Sequence, residues 1–558
     1  MPEADLAIVG ASVVTCDSAR PRAEALAVRG GRLVAVGTER EIRRWCGRRT
    51  ALVEAGGRTV LPGFVDAHVH PPMAGIEMAR CDLTGLAGRR EYLEAIGRYA
   101  AQHPDEAWIR GGGWSMAAFP GGVPRAADLD AVVGERPVYL PNRDHHSAWV
   151  SSRALGLAGV TAATPDPPDG RIERDPDGTP TGALHEGAMG LVEAALPRLG
   201  LDDYAEGILA AQRYLHSLGI TSWQDAWVPV SGEGAGALEA YLALASSGRL
   251  TARVVGALWW ERDRGLEQVD DLVEARRRAA ELGSDRFRAT SVKIMQDGVC
   301  ETFTAAMLTP YLDSHGHETG NCGLSFVEPE ALKDYVARLD AESFQVHVHA
   351  IGDRAVRDAL DAFSFARARN PSPGALHHLA HLQVVHPDDL DRFAPLGLTA
   401  NFQPLWAQAE PQMVDLTLPF LGPERAAQQY PIGSLLRRSV PMAFGSDWPV
   451  STPDPFAQLH VAVTRTPPPG EEGSGEAPPF LPDERIALAE ALGVFTGGSA
   501  RVNGLGALAG SLSVGKAADL VLLDRDLHAA AADGEIASCS ASLTLVGGEA
   551  VFEAPATG

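Results

Sequence analysis

Two His-x-His pairs, a lysine, a histidine cluster and an aspartate stand at the ends of apolar runs spread over 558 residues. The first pair closes Leu61-Pro62-Gly63-Phe64-Val65-Asp66-Ala67-His68-Val69-His70. On a strand, residues i and i+2 face the same side, so His68 and His70 aim two imidazoles together. Pro71 ends the run and puts the pair at the strand's C-terminal end. The lysine is Lys293, within Ser291-Val292-Lys293-Ile294-Met295. A free cation in such a run is costly, which leaves two readings open. It forms an ion pair with Asp297 or reaches for the strand end, or it is neutral and carboxylated by carbon dioxide, a group that bridges two metal ions. Arginine cannot do the second, and 45 of the 48 basic residues are arginine; only Lys293, Lys333 and Lys516 are lysine. The second pair is His347 and His349, before Ala350-Ile351-Gly352-Asp353; the cluster is His377, His378 and His381; the aspartate is Asp447, in Gly445-Ser446-Asp447-Trp448-Pro449. Singly, His381 reads as an ordinary core or surface histidine and Asp447 as a helix cap. As a set on successive strand ends, these nitrogen and oxygen donors suit Zn²⁺ or a similar divalent ion with a position open to water.

The elements that must position this set follow from patterning. Residues 63–499 alternate apolar runs (Gly63–Val65, Val138–Leu140, Ser291–Met295, Gln345–His349, Leu398–Asn401, Pro441–Gly445) with helical stretches (Leu201–Leu218, Val269–Leu282, Arg485–Thr496). That alternation predicts a (β/α)8 TIM barrel, whose catalytic face is the C-terminal ends of the strands. Residues 1–62 and 500–558 instead carry short alternating runs broken by Gly30-Gly31, Gly56-Gly57 and Gly547-Gly548. They predict antiparallel strands from both termini joined in one small β-sandwich side domain. His70 and Lys293 are 223 residues apart, too far for three barrel strands alone, so an insertion at about 75–200 is expected over the barrel mouth. Its Trp108, Trp114, Phe119, Tyr139 and Trp149 offer an apolar substrate wall, or simply a core. Thr164–Pro180 and Thr466–Pro482, with its Glu-Glu-Gly-Ser-Gly, read as surface loops.

The formal net charge of −24 argues against a nucleic-acid partner. No apolar run is long enough to span a bilayer, and the acidic start, Met-Pro-Glu-Ala-Asp, lacks the basic region of a leader. Six scattered cysteines read as reduced thiols, hence a cytoplasmic protein. A homo-oligomer is compatible with all of this.

The order HxH, Lys, His, His, Asp, between PGFVDAHVH and GSDWP, resembles the amidohydrolase superfamily of metal-dependent hydrolases. GGGW at 111–114, DHHSAW at 144–149, PTGALHE at 180–186, GITSWQDA at 219–226, VKIMQDG, HVHAIGD and GSLSVGKAADLVLLD at 510–524 are similar to its family 3 group, related to N-substituted formamide deformylases. The resemblance implies that His68 and His70 hold one metal and that carboxylated Lys293 bridges to a second, held by His349 and His381. Asp447 would ligate the first and shuttle the proton, and His146 would donate to substrate. It implies one or two divalent ions of the Zn²⁺ type and hydrolysis of a C–N amide-type bond in a small, apolar amide or formamide. A cyclic amide, imide or carbamate hydrolase, or a non-catalytic regulatory relative, is the alternative. One departure stands out: R-x-E-H is the common form of the fourth motif, and here His378 and Ala380 replace its Arg and Glu. The partners that would orient His381 are therefore different.

Overall fold

Eight strands follow one another round the middle of the chain: β1 Phe64–Val69, β2 Ile220–Val228, β3 Arg253–Trp259, β4 Phe287–Met295, β5 Gln345–Ala350, β6 His378–His381, β7 Thr399–Phe402 and β8 Met442–Phe444. Each pairs in parallel with the next in sequence, so strand order equals chain order. These bounds come from a computed structural model, which describes residues 3–555 except 87, 233, 371–374, 472–473 and 475–477. Met1 and Pro2 of the acidic start, and Glu472, Gly473 and Gly475 of the second loop, lie outside the described residues.

The strands read as near-continuous apolar runs because both faces are covered: all residues of β1, β5, β6, β7 and β8 are buried. Helices such as Leu201–Ser217 and Asp353–Arg369 lie between strands in the chain, and their buried faces join the barrel core. At the seam between β8 and β1, the Asp447 N–H donates to His68 O (2.7 Å) and the His70 N–H to Trp448 O (2.9 Å). The approach is close: a Cβ on Gly445 would lie 2.5 Å from the His68 nitrogen, so only glycine fits there.

Strands from both termini share the side domain. One sheet has the order Arg32–Gly37, Ala25–Arg29, Leu6–Val9, Ala51–Glu54. The other runs Glu549–Glu553, Ala541–Val546, Leu520–Leu523, Thr59–Pro62, Ser12–Val14, Arg22–Ala23. Ile8, Leu26, Val60, Leu520 and Leu545 meet in the core between them. The sheets are mixed and not antiparallel throughout: Leu6–Val9 pairs in parallel with Ala51–Glu54, and Ser12–Val14 with Thr59–Pro62. Gly56 and Gly57, both at positive φ, accordingly carry the chain from one sheet to the other instead of turning a hairpin. Buried Arg253 at the start of β3 bonds to buried Asp519 of the side domain (Nε–Oδ2 2.7 Å).

Between β1 and the helix Leu201–Ser217, a third sheet takes the order Gly170–Arg174, Pro180–Glu186, Ser147–Val150, Val138–Pro141, Ile109–Gly112, Cys81–Asp82. The run Val138–Leu140 belongs to this sheet and not to the barrel, whereas the barrel strands β2 and β3 are not among the runs that patterning marks as strands. An isolated apolar run does not reveal which sheet it joins, since both environments bury it on two faces. The helix expected over 485–496 begins at Leu488 and passes into a π-helix at Val494–Gly498. Among the described residues no helix is long and apolar enough to cross a membrane.

Candidate metal centre

The C-terminal ends of the barrel strands deliver the donors to one place. His68 comes from β1, Lys293 from β4, His349 from β5 and His381 from β6; His70 and Asp447 follow β1 and β8. His68, His381 and Asp447 each offer an atom within 4.8 Å of the other two. His70 sits beside them, its Nε2 2.9 Å from Asp447 Oδ1. Lys293 Nζ is 3.2 Å from His68 Nε2. The rings of His349 and His381 lie with centroids 4.5 Å apart at a 60° tilt, and the His146 ring is 5.8 Å from that of His349. All seven side chains line one cavity of about 490 Å³.

A polar chain through the barrel fixes which nitrogen of His68 faces this cluster. Gln345 Nε2 donates to the carbonyls of Leu376 and Val502, so its Oε1 accepts from Gln224 Nε2 (2.8 Å). Gln224 Oε1 then accepts from His347 Nδ1 (2.8 Å), which leaves His347 Nε2 to accept from His68 Nδ1 (3.0 Å). Burial holds His347 neutral, far below the ordinary imidazole range, so it cannot donate at both nitrogens. His68 therefore presents a lone pair at Nε2, 3.2 Å from Asp447 Oδ1. That oxygen is buried and receives no hydrogen bond. Two electron-rich atoms at this separation call for a cation between or beside them, and a divalent ion fits the donor set.

His349 and His381 are backed in the same way. Asp297 Oδ1 takes His349 Nδ1 at 3.1 Å, and Gln403 Oε1 takes His381 Nδ1 at 2.8 Å, so both rings turn Nε2 inward. Trp406 stacks on His381 at 5.3 Å. The orienting role left vacant by the altered fourth motif thus falls to Gln403 and Trp406. His378 instead packs on His347 at 3.9 Å, with Nδ1 on Asn401 (3.2 Å). His70 differs from the others: its Nδ1 is buried without a hydrogen-bond partner.

Protonation states follow from burial. His68 is pushed down to about 3 by burial and then by the Lys293 charge. Burial also pulls Lys293 down to about 7. The ion pair with Asp297 does not form, because that carboxylate is taken by His349 and by the N–H groups of Ala306, Ile351 and Gly352. His146 goes the other way. Burial opposes its charge, yet Glu186, 2.9 Å from Nδ1 through both oxygens, lifts it to about 9. Asp144 holds only the His146 backbone N–H (3.1 Å). His145, Glu186, His381 and Asp447 all line the cavity in left-handed backbone conformations, with φ of 61°, 52°, 77° and 57°. Strain of this kind concentrates at working sites.

The aromatic wall is built differently from the sequence expectation. Trp114, Phe119 and Trp149 pack edge-to-face at 5.1–6.2 Å as the core of the insertion, and Trp108 joins a second core cluster. Only Tyr139 of the five lines the cavity, where Trp227, Trp259 and Trp406 stand near barrel strand ends. Position at a strand's C-terminal end was the signal that could have singled out the first two. Gln224, His347, Gln403 and Glu186 likewise carried no assigned role.

The profile of the amidohydrolase family matches residues 51–552. "Protein LONG AFTER FAR-RED 3" of Arabidopsis thaliana is 31% identical over 540 residues, 93% of this chain and 87% of the relative. "N-substituted formamide deformylase" of Arthrobacter pascens is 29% identical over 564 residues, covering 98% of each chain. The solved structure of an uncharacterized metal-dependent hydrolase from Pyrococcus furiosus superposes with a TM-score of 0.69 at 26% identity, covering 93% of this chain and 99% of that one. With the barrel, the donors at its strand ends and a match over nearly the whole length, this chain belongs to the amidohydrolase family.

Proposed function

We propose that the protein is a metal-dependent hydrolase that cleaves the C–N bond of an N-substituted formamide or a similarly apolar amide. The observation that carries this reading is the convergence of donors on one point: buried Asp447 Oδ1 lies 2.9 Å from His70 Nε2 and 3.2 Å from His68 Nε2, with no hydrogen bond of good geometry to either. One or two divalent ions of the Zn²⁺ type, held by His68, His70, Lys293 as its carbamate, His349, His381 and Asp447, would polarise the carbonyl and lower the pKa of water from about 15.7 towards 7. Asp447, ionised and facing the same space, accepts the proton of the attacking water and returns it to the departing nitrogen, which leaves poorly as an anion. His146 carries a proton at neutral pH and donates to the carbonyl oxygen as negative charge grows there. Trp227, Trp259 and Trp406 exclude water and favour an apolar substituent. The 29% identity to a formamide deformylase supports that choice. The partner is a small molecule and not a nucleic acid, and six unbridged cysteines favour a reducing, cytoplasmic compartment.

Metal analysis joined to turnover of N-benzyl and N-alkyl formamides tests this. Activity should vanish on chelation and return with Zn²⁺. Lys293→Arg should lower both bound metal and turnover by at least about 100-fold, since even outer partners of a metal site are worth about 10–100-fold. Less than about a tenth of an equivalent of metal after gentle purification, or a fully active Arg variant, would sink the reading.

A further inference from the structure

Arg80 and Arg110 both line the same cavity. The helix Pro71–Glu77 leads away from His70, and the strand Cys81–Asp82 follows Arg80. That strand pairs in parallel with Ile109–Gly112, Cys81 opposite Gly111 and Asp82 opposite Gly112. The register sets Arg80 beside Arg110 on neighbouring strands. Like charges in that position repel: burial first, then Arg110, lowers the Arg80 guanidinium. Among the described residues neither arginine has a carboxylate at ion-pair distance; Arg110 donates to the Pro197 carbonyl at 3.3 Å. Asp82, two residues on, accepts the Thr84 N–H at Oδ1 (2.8 Å), Glu193 of the same cavity accepts the Tyr139 hydroxyl (2.5 Å), and Glu77 is pushed up to about 8 by burial. Asp203, Glu106 and Glu206 face the adjoining cavity, which both arginines also line. Asp203 Oδ2 is engaged by the Gly200 N–H (2.7 Å) and Glu106 by the Tyr99 hydroxyl (3.2 Å).

From His70, a seven-residue helix at about 1.5 Å per residue and a short turn place Arg80 on the order of 10–15 Å from the metal donors. Met73, Ile76, Leu196 and Leu199 line the cavity with them. We infer that Arg80 and Arg110 form a carboxylate subsite, so that the substrate is an amide whose apolar body carries a carboxylate remote from the scissile bond. The inference rests on the amide-hydrolase reading of the cavity and narrows its substrate class. A planar monoanion suits two guanidinium forks flanked by the partly compensating acids of the adjoining cavity.

The test compares N-formyl-ω-aminooctanoate with N-formyloctylamine, which lacks only the carboxylate. The wild type should favour the carboxylate by at least about tenfold in kcat/KM, expressed mainly in KM. Replacing both arginines (Arg80→Gln, Arg110→Gln) should bring the ratio near unity, either single change should give an intermediate ratio, and the double lysine variant should keep part of the preference. No preference in the wild type, or one that survives the double Gln change, overturns the subsite. If neither formamide is turned over, the hydrolase reading has failed, and the subsite is still decided by calorimetric binding of octanoate against octanamide. Arg-dependent preference for octanoate supports it. Octanoate binding equally to the double variant, as it would at the metal centre, overturns it, as does an Arg-dependent preference for octyl phosphate over octanoate.

Discussion

Glu186 sits against the Nδ1 of His146, and the two side chains are separated by 40 positions in the chain. The imidazole is therefore charged up to about pH 9. The expected pH–rate profile has kcat/KM falling as pH rises through about 9, where the proton on His146 is lost. Glu186→Gln removes the counter-charge, leaves burial to depress the imidazole below its usual value near 6.5, and moves that fall below about pH 7. A profile unchanged by the substitution would mean that His146 is not the proton donor. The same pair contributes stability that is complete below the unfolded pKa of about 6.5 and is lost as pH climbs through about 9. In the sequence, His146 stood out through the DHHSAW motif, whereas Glu186 was one letter of PTGALHE without a role. Charge partners formed by folding leave no local pattern, and this one depends on Ser147–Val150 lying beside Pro180–Glu186.

Elements decide which histidine binds and which one supports. The HxH of β5 places His347 and His349 on one side, as strand geometry requires, and sequence alone made them equivalent in direction. They differ because Gln224, delivered by β2, reaches His347, while Asp297 after β4 reaches His349. Gln224→Leu cuts the chain that fixes the His68 tautomer, and divalent-ion affinity is expected to drop about 10–100-fold, read by competition with a chromophoric chelator. Circular dichroism should stay native, though the stranded His347 N–H should cost about 1–3 kcal/mol in denaturant melts. Unaltered affinity would show that His68 takes its orientation elsewhere. The runs that end in candidate donors stand out in the sequence, but the choice of His349 over His347 and of His381 within its cluster comes from the family resemblance. The donors' supports do not stand out, since glutamine inside a strand has no distinctive spacing.

The architecture as a whole was largely written in periodicity: alternating apolar and helical stretches for the barrel, glycine-broken runs at both ends for the sandwich. What periodicity did not assign was membership, as Val138–Pro141 and the insertion tryptophans illustrate. The sandwich is tied to the barrel by Arg253 and Asp519, both buried, with Asp519 also accepting the Gly547 N–H at 2.7 Å. Asp519→Ala leaves a buried guanidinium with only its outer partner, Asp285, and should destabilise the protein by about 3–5 kcal/mol in chemical denaturation. A loss below about 1 kcal/mol would place the junction's strength in its apolar contacts instead. The barrel seam carries a different consequence. The amides and carbonyls that clasp β8 to β1 belong to His68, His70, Asp447 and Trp448, three of which also offer the cation donors. An ion bound as proposed would tie the same two strand ends a second time, so chelation is expected to lower the melting temperature together with the activity.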